Sequence, residues 1–174
     1  MKILRETPIV SVIGGNDPPE SDMATAYQVG RHLALNGAIV VCGGLGGVME
    51  AVCKGAKEAG GTTIGILPGN DSSDANPYVD IRIPTGLGHA RNVIVVKSGI
   101  AVIAIDGSYG TLSEIGHALS DRIPVIGLNT WKFSHGQNRS TGMMEANTAA
   151  EAVEIALSPR RPDENKSEVE GSHE

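Results

Sequence analysis

The sequence DGSYGTLSE, residues 106–114, places Asp106, the hydroxyl side chains of Ser108 and Thr111, Tyr109 and Glu114 around a glycine-containing turn. An apolar run precedes it and an amphipathic helical pattern follows, so the sequence predicts a junction between a strand and a helix. Backbone N–H groups at the start of a helix attract anions, which makes the turn a candidate phosphate site. The alternative is a capping box, in which Thr111 and Glu114 only satisfy backbone groups of the helix. The candidate ligand-contacting residues are Gly107, Ser108, Tyr109, Gly110 and Thr111.

A second glycine-rich turn, CGGLGG at residues 42–47, joins another apolar run to another helical pattern. Glycines let a ligand approach the backbone, and the helix start favours an anion. The spacing does not match the dinucleotide motif GxGxxG, whose third glycine position is Met49, and no Walker motif is present. The turn predicts phosphate binding, with a tight turn of small packing residues as the alternative. Its candidate residues are Gly43, Gly44, Gly46 and Gly47, while Gly14 and Gly15, at the end of the first apolar run, are candidates for contacting a base or sugar.

His89 and Arg91 lie in the sequence GHARN, residues 88–92, just inside a third helical pattern. Arginine is the natural bidentate partner of a phosphate or carboxylate, although a solvated surface arginine is the alternative here. The five histidines are scattered along the chain, so no metal site is predicted. Ser108 lacks a nucleophile-elbow sequence, so no serine nucleophile is predicted either.

These turns need a scaffold in which strands and helices alternate. Strands are predicted at 8–15, 38–44, 62–69, 79–83, 100–107 and 124–129, and helices at 21–36, 47–59, 111–120 and 147–157. Residues 87–98 are predicted as a buried helix, because a strand there would leave only Lys-Ser-Gly before the next strand. The alternation predicts one α/β domain over residues 1–157, with a parallel sheet covered on both faces and ligands at the carboxyl ends of its strands. Residues 158–174 are polar and aperiodic, and predict a disordered tail.

Composition limits the classes of partner. The net charge is −6 and no basic run occurs, which argues against nucleic acid and anionic membranes. The chain has one Trp, three Tyr and one Phe, which argues against an aromatic platform for base stacking. Its two cysteines form no CxxC motif, so we predict reduced thiols in the core of a cytoplasmic protein. We expect neither a signal peptide nor a transmembrane segment, because the apolar runs are too short.

The motifs GGLGGVMEAVCKGA, GHARN and DGSYGTLSE together resemble the LONELY GUY (LOG) family, most closely its branch related to the molybdenum cofactor carrier protein. The resemblance covers residues 8–157. The family motif PGGxGTxxE falls on residues 106–114, where GTxxE is intact and Asp106 and Ser108 replace the proline and the second glycine. The family motif MHxRK falls on residues 88–92, where the histidine and arginine are kept and the methionine and lysine are replaced.

The resemblance implies a Rossmann-like fold, a homo-oligomer, and one of two functions. The first is binding of a phosphorylated, nucleotide-like or pterin-like small molecule, as in the carrier branch, with no cofactor required. The second is hydrolysis of a nucleoside 5′-monophosphate to free base and ribose 5-phosphate, for which the family's catalytic pair falls on Arg91 and Glu114. Enzymatic activity is therefore left open.

No lysine with pyridoxal-phosphate partners supports a lysine decarboxylase. Trp131 and Phe133 follow the last predicted strand and could line the pocket, pack, or form a dimer contact.

Overall fold

The computed structural model describes residues 7–133 and 142–158, which form strands and helices in near-regular alternation. The strands are β1 (Ile9–Gly14), β2 (Ile39–Cys42), β3 (Thr63–Leu67), β4 (Ile81–Pro84), β5 (Val102–Ile105), β6 (Val125–Leu128) and β7 (Met143–Glu145). The α-helices are α1 (Glu20–Leu35), α2 (Val48–Glu58), α3 (Asn92–Ser98), α4 (Tyr109–Ser120) and α5 (Ala149–Leu157). Two short 3₁₀ helices occupy Ser72–Asp74 and Gly88–Arg91.

The seven strands form one parallel sheet in the order β4-β3-β2-β1-β5-β6-β7. β1 lies in the middle, since Ser11 pairs with Val41 of β2 on one side and with Val102 of β5 on the other. The chain therefore winds outward from β1 in both directions, and the carboxyl ends of β1, β2 and β5 lie side by side where the winding reverses. This topology confirms the predicted single-domain, Rossmann-like α/β fold.

Helices cover both faces of the sheet. On one face α1, α2 and α5 bury an apolar cluster that includes Val29, Val52 and Val153. On the other face α3 and α4 bury a second cluster that includes Val96 and Ile115. Strands buried on both faces read as continuous apolar runs, which is why the sequence shows little alternation.

On the first face, α1 and α2 pack with their backbones in contact. A Cβ added at Gly30 would lie 1.9 Å from the carbonyl oxygen of Val52, and one added at Gly55 would lie 1.9 Å from that of Tyr27. No larger residue fits at either glycine without moving a helix. The crossing therefore fixes the helices that follow β1 and β2 relative to each other.

Most predicted elements are present, with differences that include β7 and the start of α1. Residues 87–98 are helical as predicted, with the 3₁₀ turn at Gly88–Arg91 continuing into α3. The edge strand β7 was not predicted, because its three residues, Met-Met-Glu, include no β-branched side chain. Helix α1 begins at Glu20, directly after Pro19 and one residue before the predicted start at residue 21. Apart from Ser158, the predicted disordered tail lies outside the described residues.

The two cysteines are core residues, as predicted. Cys42 and Cys53 are both buried and unpaired, and their sulfur atoms lie 3.5 Å apart. None of the helices in the described part of the chain is long and apolar enough to cross a membrane.

Candidate functional site

A cleft of about 220 Å³ lies at the carboxyl ends of β1, β2 and β5, between the starts of α2 and α4. We call it the Arg91–Glu114 cleft, since both of these side chains line it. Among the other predicted site residues, six also line the cleft: Gly14, Gly43, His89, Ser108, Gly110 and Thr111. Residues from four separate turns are therefore brought together, as expected for ligand binding at this edge of a parallel sheet.

Arg91 and Glu114 form a buried ion pair. Nη1 of Arg91 lies 3.5 Å from Oε1 of Glu114, and each side chain is only 9% exposed. Arg91 ends the 3₁₀ helix before α3, while Glu114 lies on the inward face of α4 with Thr111, Ile115 and Ala118. Those four α4 positions follow the i, i+3, i+4, i+7 spacing of a buried helical stripe. The helical period therefore directs Glu114 towards the sheet and Arg91.

Burial changes the proton affinity of this pair. It raises the pKa of Glu114 from 4.5 to about 7, although the charge of Arg91 acts in the opposite direction. Burial also lowers the pKa of Arg91, while the charges of Glu114 and Cys42 oppose that change. Near neutral pH the Glu114 carboxyl can therefore either hold or release a proton, which is the property of a general acid–base group.

Two polar atoms in the cleft are left without partners. Nε of Arg91 and Oγ1 of Thr111 are buried and make no hydrogen bond within the described residues. Nη1 of Arg91, in contrast, donates to Oδ1 of Asn92. Buried polar atoms are nearly always paired, so two unpaired donors lining one cleft indicate a place for acceptor atoms of a ligand.

The start of α4 does not form the capping box that the sequence left open as an alternative at Thr111 and Glu114. The helix begins at Tyr109, Ser108 is its N-cap, and no side chain bonds the cap. Thr111 therefore lies inside the first turn, where its hydroxyl is buried and has no partner in the part of the chain that the structure describes, and Glu114 faces Arg91. Because α4 starts two residues before the predicted position, the side chains of Thr111 and Glu114 lie on its buried face and not at its end. Ser108, Gly110 and Thr111 border the cleft at a helix start, where N–H groups lack helical partners.

The glycines of the second turn have two different roles. A Cβ at Gly43 would lie 2.6 Å from Nη2 of Arg91 and 2.7 Å from Sδ of Met49, so this glycine makes room for the arginine inside the cleft. Gly47 has a φ of +63°, and a Cβ there would lie 2.4 Å from the carbonyl oxygen of Gly15. That oxygen accepts the N–H of Val48 at 3.0 Å. Gly47 therefore allows the turns after β1 and β2 to contact each other.

Several predicted ligand residues lie outside the cleft lining: Gly15, Gly44, Gly46, Gly47, Gly107 and Tyr109. Most of the glycines among them have a packing role, which is the alternative that the sequence left open for the glycine-rich turn after β2. A Cβ at Gly44 would lie 2.7 Å from Cδ2 of Leu67, and one at Gly107 would lie 2.6 Å from Cβ of Thr111. Tyr109 is instead 82% exposed.

Asp106, which replaces the proline of the family motif, is oriented away from the cleft lining. A Cβ at Gly15 would lie 2.6 Å from Oδ2 of Asp106, so the carboxylate faces the turn after β1. The φ of Asp106 is +51°, a left-handed conformation that aspartate tolerates better than most residues. The substitution therefore alters the neighbouring turn more directly than the Arg91–Glu114 cleft.

Sequence reasoning missed some lining residues, among them Asn16, Met49 and Asn92. Asn16 follows Gly14-Gly15 directly, and its place after a strand end was a signal that could have identified it. Met49 and Asn92 lie in the first turns of α2 and α3, where only the packing of distant elements shows which face meets the cleft. In residues 7–133 and 142–158, no group of three His, Cys, Asp or Glu residues is placed to hold a metal ion.

Comparisons with known proteins give a family and several solved structures. A family model described as the SLOG cluster4 family matches residues 7–158. The molybdenum cofactor binding protein from the phototrophic bacterium Rippkaea orientalis is 39% identical, with a TM-score of 0.82 over 89% of this chain and 98% of that chain. The molybdenum cofactor carrier protein from Chlamydomonas reinhardtii is 34% identical, with a TM-score of 0.77 over 87% of this chain and 98% of that chain. An uncharacterized protein of Archaeoglobus fulgidus is 48% identical over 112 residues, 64% of this chain and 74% of that protein. The predicted resemblance to the LOG family and its carrier-like branch is confirmed.

Proposed function

The chain belongs to the SLOG cluster4 family, and from this premise we propose that it binds a phosphorylated small molecule in the Arg91–Glu114 cleft. The observation that carries the proposal is the pair of buried, unpartnered donors, Nε of Arg91 and Oγ1 of Thr111. Phosphate oxygens accept hydrogen bonds from both kinds of donor, and the guanidinium supplies the opposite charge. Binding would therefore relieve the free-energy cost of leaving these donors unpaired.

The organic part of the ligand is proposed to be a pterin-like or nucleotide-like group, held without turnover. Two similar structures support the pterin-like form, because one is a molybdenum cofactor binding protein and the other a molybdenum cofactor carrier protein. The intact GTxxE half of the motif, at Gly110–Glu114, places a helix start beside the two donors. A helix start favours the phosphate of either ligand type.

Calorimetric titration with GMP tests this proposal, since GMP carries a phosphate and the 2-amino-4-oxopyrimidine ring that pterins share. We expect binding to the wild type and an affinity at least about tenfold lower in Arg91→Gln, which loses a charge-assisted hydrogen-bond donor. Arg82→Gln is the matched control, because Arg82 lies on the exposed edge strand β4. Equal affinity in Arg91→Gln and Arg82→Gln, with both variants folded by circular dichroism, would contradict the assignment.

A second candidate function is hydrolysis of a nucleoside 5′-monophosphate, and the pKa of about 7 for Glu114 beside Arg91 favours it. In this reaction the bond from C1′ of ribose to the base breaks, water adds to C1′, and the base leaves with a proton. The transition state resembles an oxocarbenium ion, which the Glu114 carboxylate would stabilise while it orients the water. Arg91 would position the phosphate or ribose.

Incubation with AMP, GMP, CMP and UMP, followed by chromatography of released base, separates the two functions. Release that is lost in Glu114→Gln supports the hydrolase. No release from any of the four, together with GMP binding by calorimetry, supports binding without turnover and rejects the hydrolase.

We also propose that the protein is a homo-oligomer that uses the outer part of the α3 face. Ile81 and Ile83 of edge strand β4 pair with Ile64 and Ile66, which pack into the cluster beneath α3 and α4. Ile81 and Ile83 therefore lie on that face, where they are 49% and 43% exposed, and Ile94 of α3 is 40% exposed. Exposed apolar side chains on an edge strand and on a helix of the same sheet face suit a second copy of the chain. The cytoplasmic location stays a prediction.

A further inference from the structure

We propose that Trp131 is the surface on which the planar ring of the ligand stacks, in a second cleft beside the Arg91–Glu114 cleft. The inference rests on the proposed function, because it concerns the same ligand. The second cleft, the Trp131 cleft, has a volume of about 300 Å³ and lies at the carboxyl ends of β6 and β7. Asn129, Thr130 and Trp131 form one wall, and Thr25 of α1 also lines it. A volume of this order accommodates a small ligand's ring.

The two clefts meet at the turn before α4. Ser108 lines the Arg91–Glu114 cleft, and its carbonyl oxygen accepts a hydrogen bond from Nε1 of Trp131 at 3.3 Å. The hydroxyl of Thr130 donates to the carbonyl oxygen of Asp106 in the same turn. The segment after β6 is therefore attached twice to the turn that borders the phosphate site. A ligand with its phosphate at the start of α4 can extend its ring over Trp131.

Trp131 forms an aromatic pair with Tyr109. The ring centroids are 6.0 Å apart and the planes are tilted by 35°. Tyr109 nevertheless remains 82% exposed, the most exposed of the large apolar side chains in the described residues. The indole N–H already has its acceptor and the ring also packs against the apolar cluster beneath α3 and α4. The part of the ring that lines the Trp131 cleft is therefore the surface left for a ligand, and aromatic faces stack on planar heterocycles of many kinds. The small number of aromatic residues argues against stacking of several nucleic-acid bases in a row, but a ligand with one planar ring needs only one aromatic side chain.

Asn129 adds a polar group to the same cleft. Its Nδ2 donates to both carboxylate oxygens of Asp22, at 3.0 and 3.2 Å, and Asp22 is buried. The φ of Asn129 is +47°, a conformation that the surrounding bonds must hold in place. The amide is thus fixed beside Trp131, where a ring edge with N–H and carbonyl groups could bond to it.

Intrinsic fluorescence tests the stacking, because Trp131 is the only tryptophan in the chain. GMP and ribose 5-phosphate carry the same sugar and phosphate, but only GMP carries a ring. We expect GMP to quench the emission of Trp131 in a saturable way, and ribose 5-phosphate to bind by calorimetry without quenching. Unchanged emission at a GMP concentration that saturates the calorimetric signal would overturn the inference.

Paired substitutions give a second readout. Trp131→Leu should lower the affinity for GMP about tenfold, because one stacked ring is lost. The same variant should change the affinity for ribose 5-phosphate by less than about twofold, since the phosphate site keeps its donors. Phe133→Leu is the matched control, as Phe133 is the neighbouring aromatic residue and lies outside the Trp131 cleft lining. A parallel loss for both ligands in Trp131→Leu, or an equal loss in Phe133→Leu, would reject stacking on Trp131.

The outcomes distinguish this inference from the proposed function. If ribose 5-phosphate binds and GMP binds no tighter, the phosphate site stands and the stacking surface is wrong. If neither compound binds to the wild type, both the proposed function and the stacking inference fail.

Discussion

Arg91 and Glu114 lie 3.5 Å apart in a buried ion pair, yet Nε of the same arginine has no partner within the described residues. The pair therefore does not use the full hydrogen-bonding capacity of the guanidinium. One edge of Arg91 is committed to Glu114 and Asn92, while another donor remains for a ligand.

Glu114 should make the stability of the protein depend on pH. Its pKa is raised from 4.5 to about 7 by burial, so the folded state binds a proton more tightly than the unfolded state. The stabilisation is complete below pH 4.5 and is lost as the pH rises to about 7. Relative to Glu114→Gln, the wild type should lose on the order of 1–3 kcal/mol of unfolding free energy between pH 4.5 and pH 8. Urea unfolding of both proteins across this range measures the difference, and parallel curves would contradict the prediction.

Thr111→Val should stabilise the free protein and weaken ligand binding. The substitution keeps the side-chain shape and removes a buried hydroxyl that has no partner. We expect the unfolding free energy to rise by about 1 kcal/mol and the affinity for GMP to fall about fivefold or more. Urea unfolding and calorimetry give the two values. Ser113→Ala is the control on the same helix, because Ser113 is exposed and should change neither value appreciably. Equal GMP affinity in Thr111→Val and the wild type would show that the hydroxyl does not contact the ligand.

Gly43→Ala should reduce ligand binding, and it should also destabilise the fold, because moving Arg91 weakens its buried ion pair with Glu114. The new Cβ would meet Nη2 of Arg91 at 2.6 Å, so the flexible guanidinium has to move out of its position in the cleft. We expect the GMP affinity to fall about tenfold, the effect of a displaced charged donor. Gly116→Ala, on α4, is the matched control, since nothing lies within 4 Å of its added Cβ. That control should gain roughly 0.5–1 kcal/mol of stability from helix propensity and bind GMP normally. Wild-type GMP affinity in Gly43→Ala would disprove the role assigned to Arg91.

Ile83→Glu should dissociate the proposed oligomer. A carboxylate at this position places a charge on the exposed apolar face of β4 and α3. Size-exclusion chromatography with light scattering should show a smaller species than the wild type. Leu35→Glu is the control, because Leu35 is 62% exposed at the end of α1, on the opposite face of the sheet. An unchanged mass for Ile83→Glu would place the contact elsewhere.

The fold could be predicted from local patterns because most strands are continuous apolar runs that end at turn residues. β5 and β6 are each buried at every position, so their sequences carry a strong signal. β7 carries almost no strand signal, because its three residues include no β-branched side chain and its place at the sheet edge depends on pairing with β6. The alternation of strands with helices requires parallel crossovers, so it predicts a parallel sheet but does not determine the order of the strands.

The site was predictable where its residues follow strand ends or fall in the motifs. Arg91 and Glu114 were identified through motifs, but their contact depends on the packing of α3 against α4 and on where α4 begins. The predicted start of α4 assigned Thr111 to a cap, and two residues of difference moved it into the cleft. The roles of Gly43 and Gly47 depend on atoms far away in the sequence, Nη2 of Arg91 and the carbonyl oxygen of Gly15. No local pattern contains that information.

The hydrogen bond from Val48 to Gly15 has a consequence for how the cleft meets a ligand. It ties the turn after β1 to the start of α2, and the left-handed backbone of Gly47 makes this contact possible. The two turns are consequently ordered when the chain folds, before any ligand arrives. The entropy lost on association is then confined mainly to the ligand and to exposed side chains such as Tyr109. For the ligand proposed above, the cleft would act as a preorganised site, so the affinity would depend on its contacts more than on the cost of assembling it.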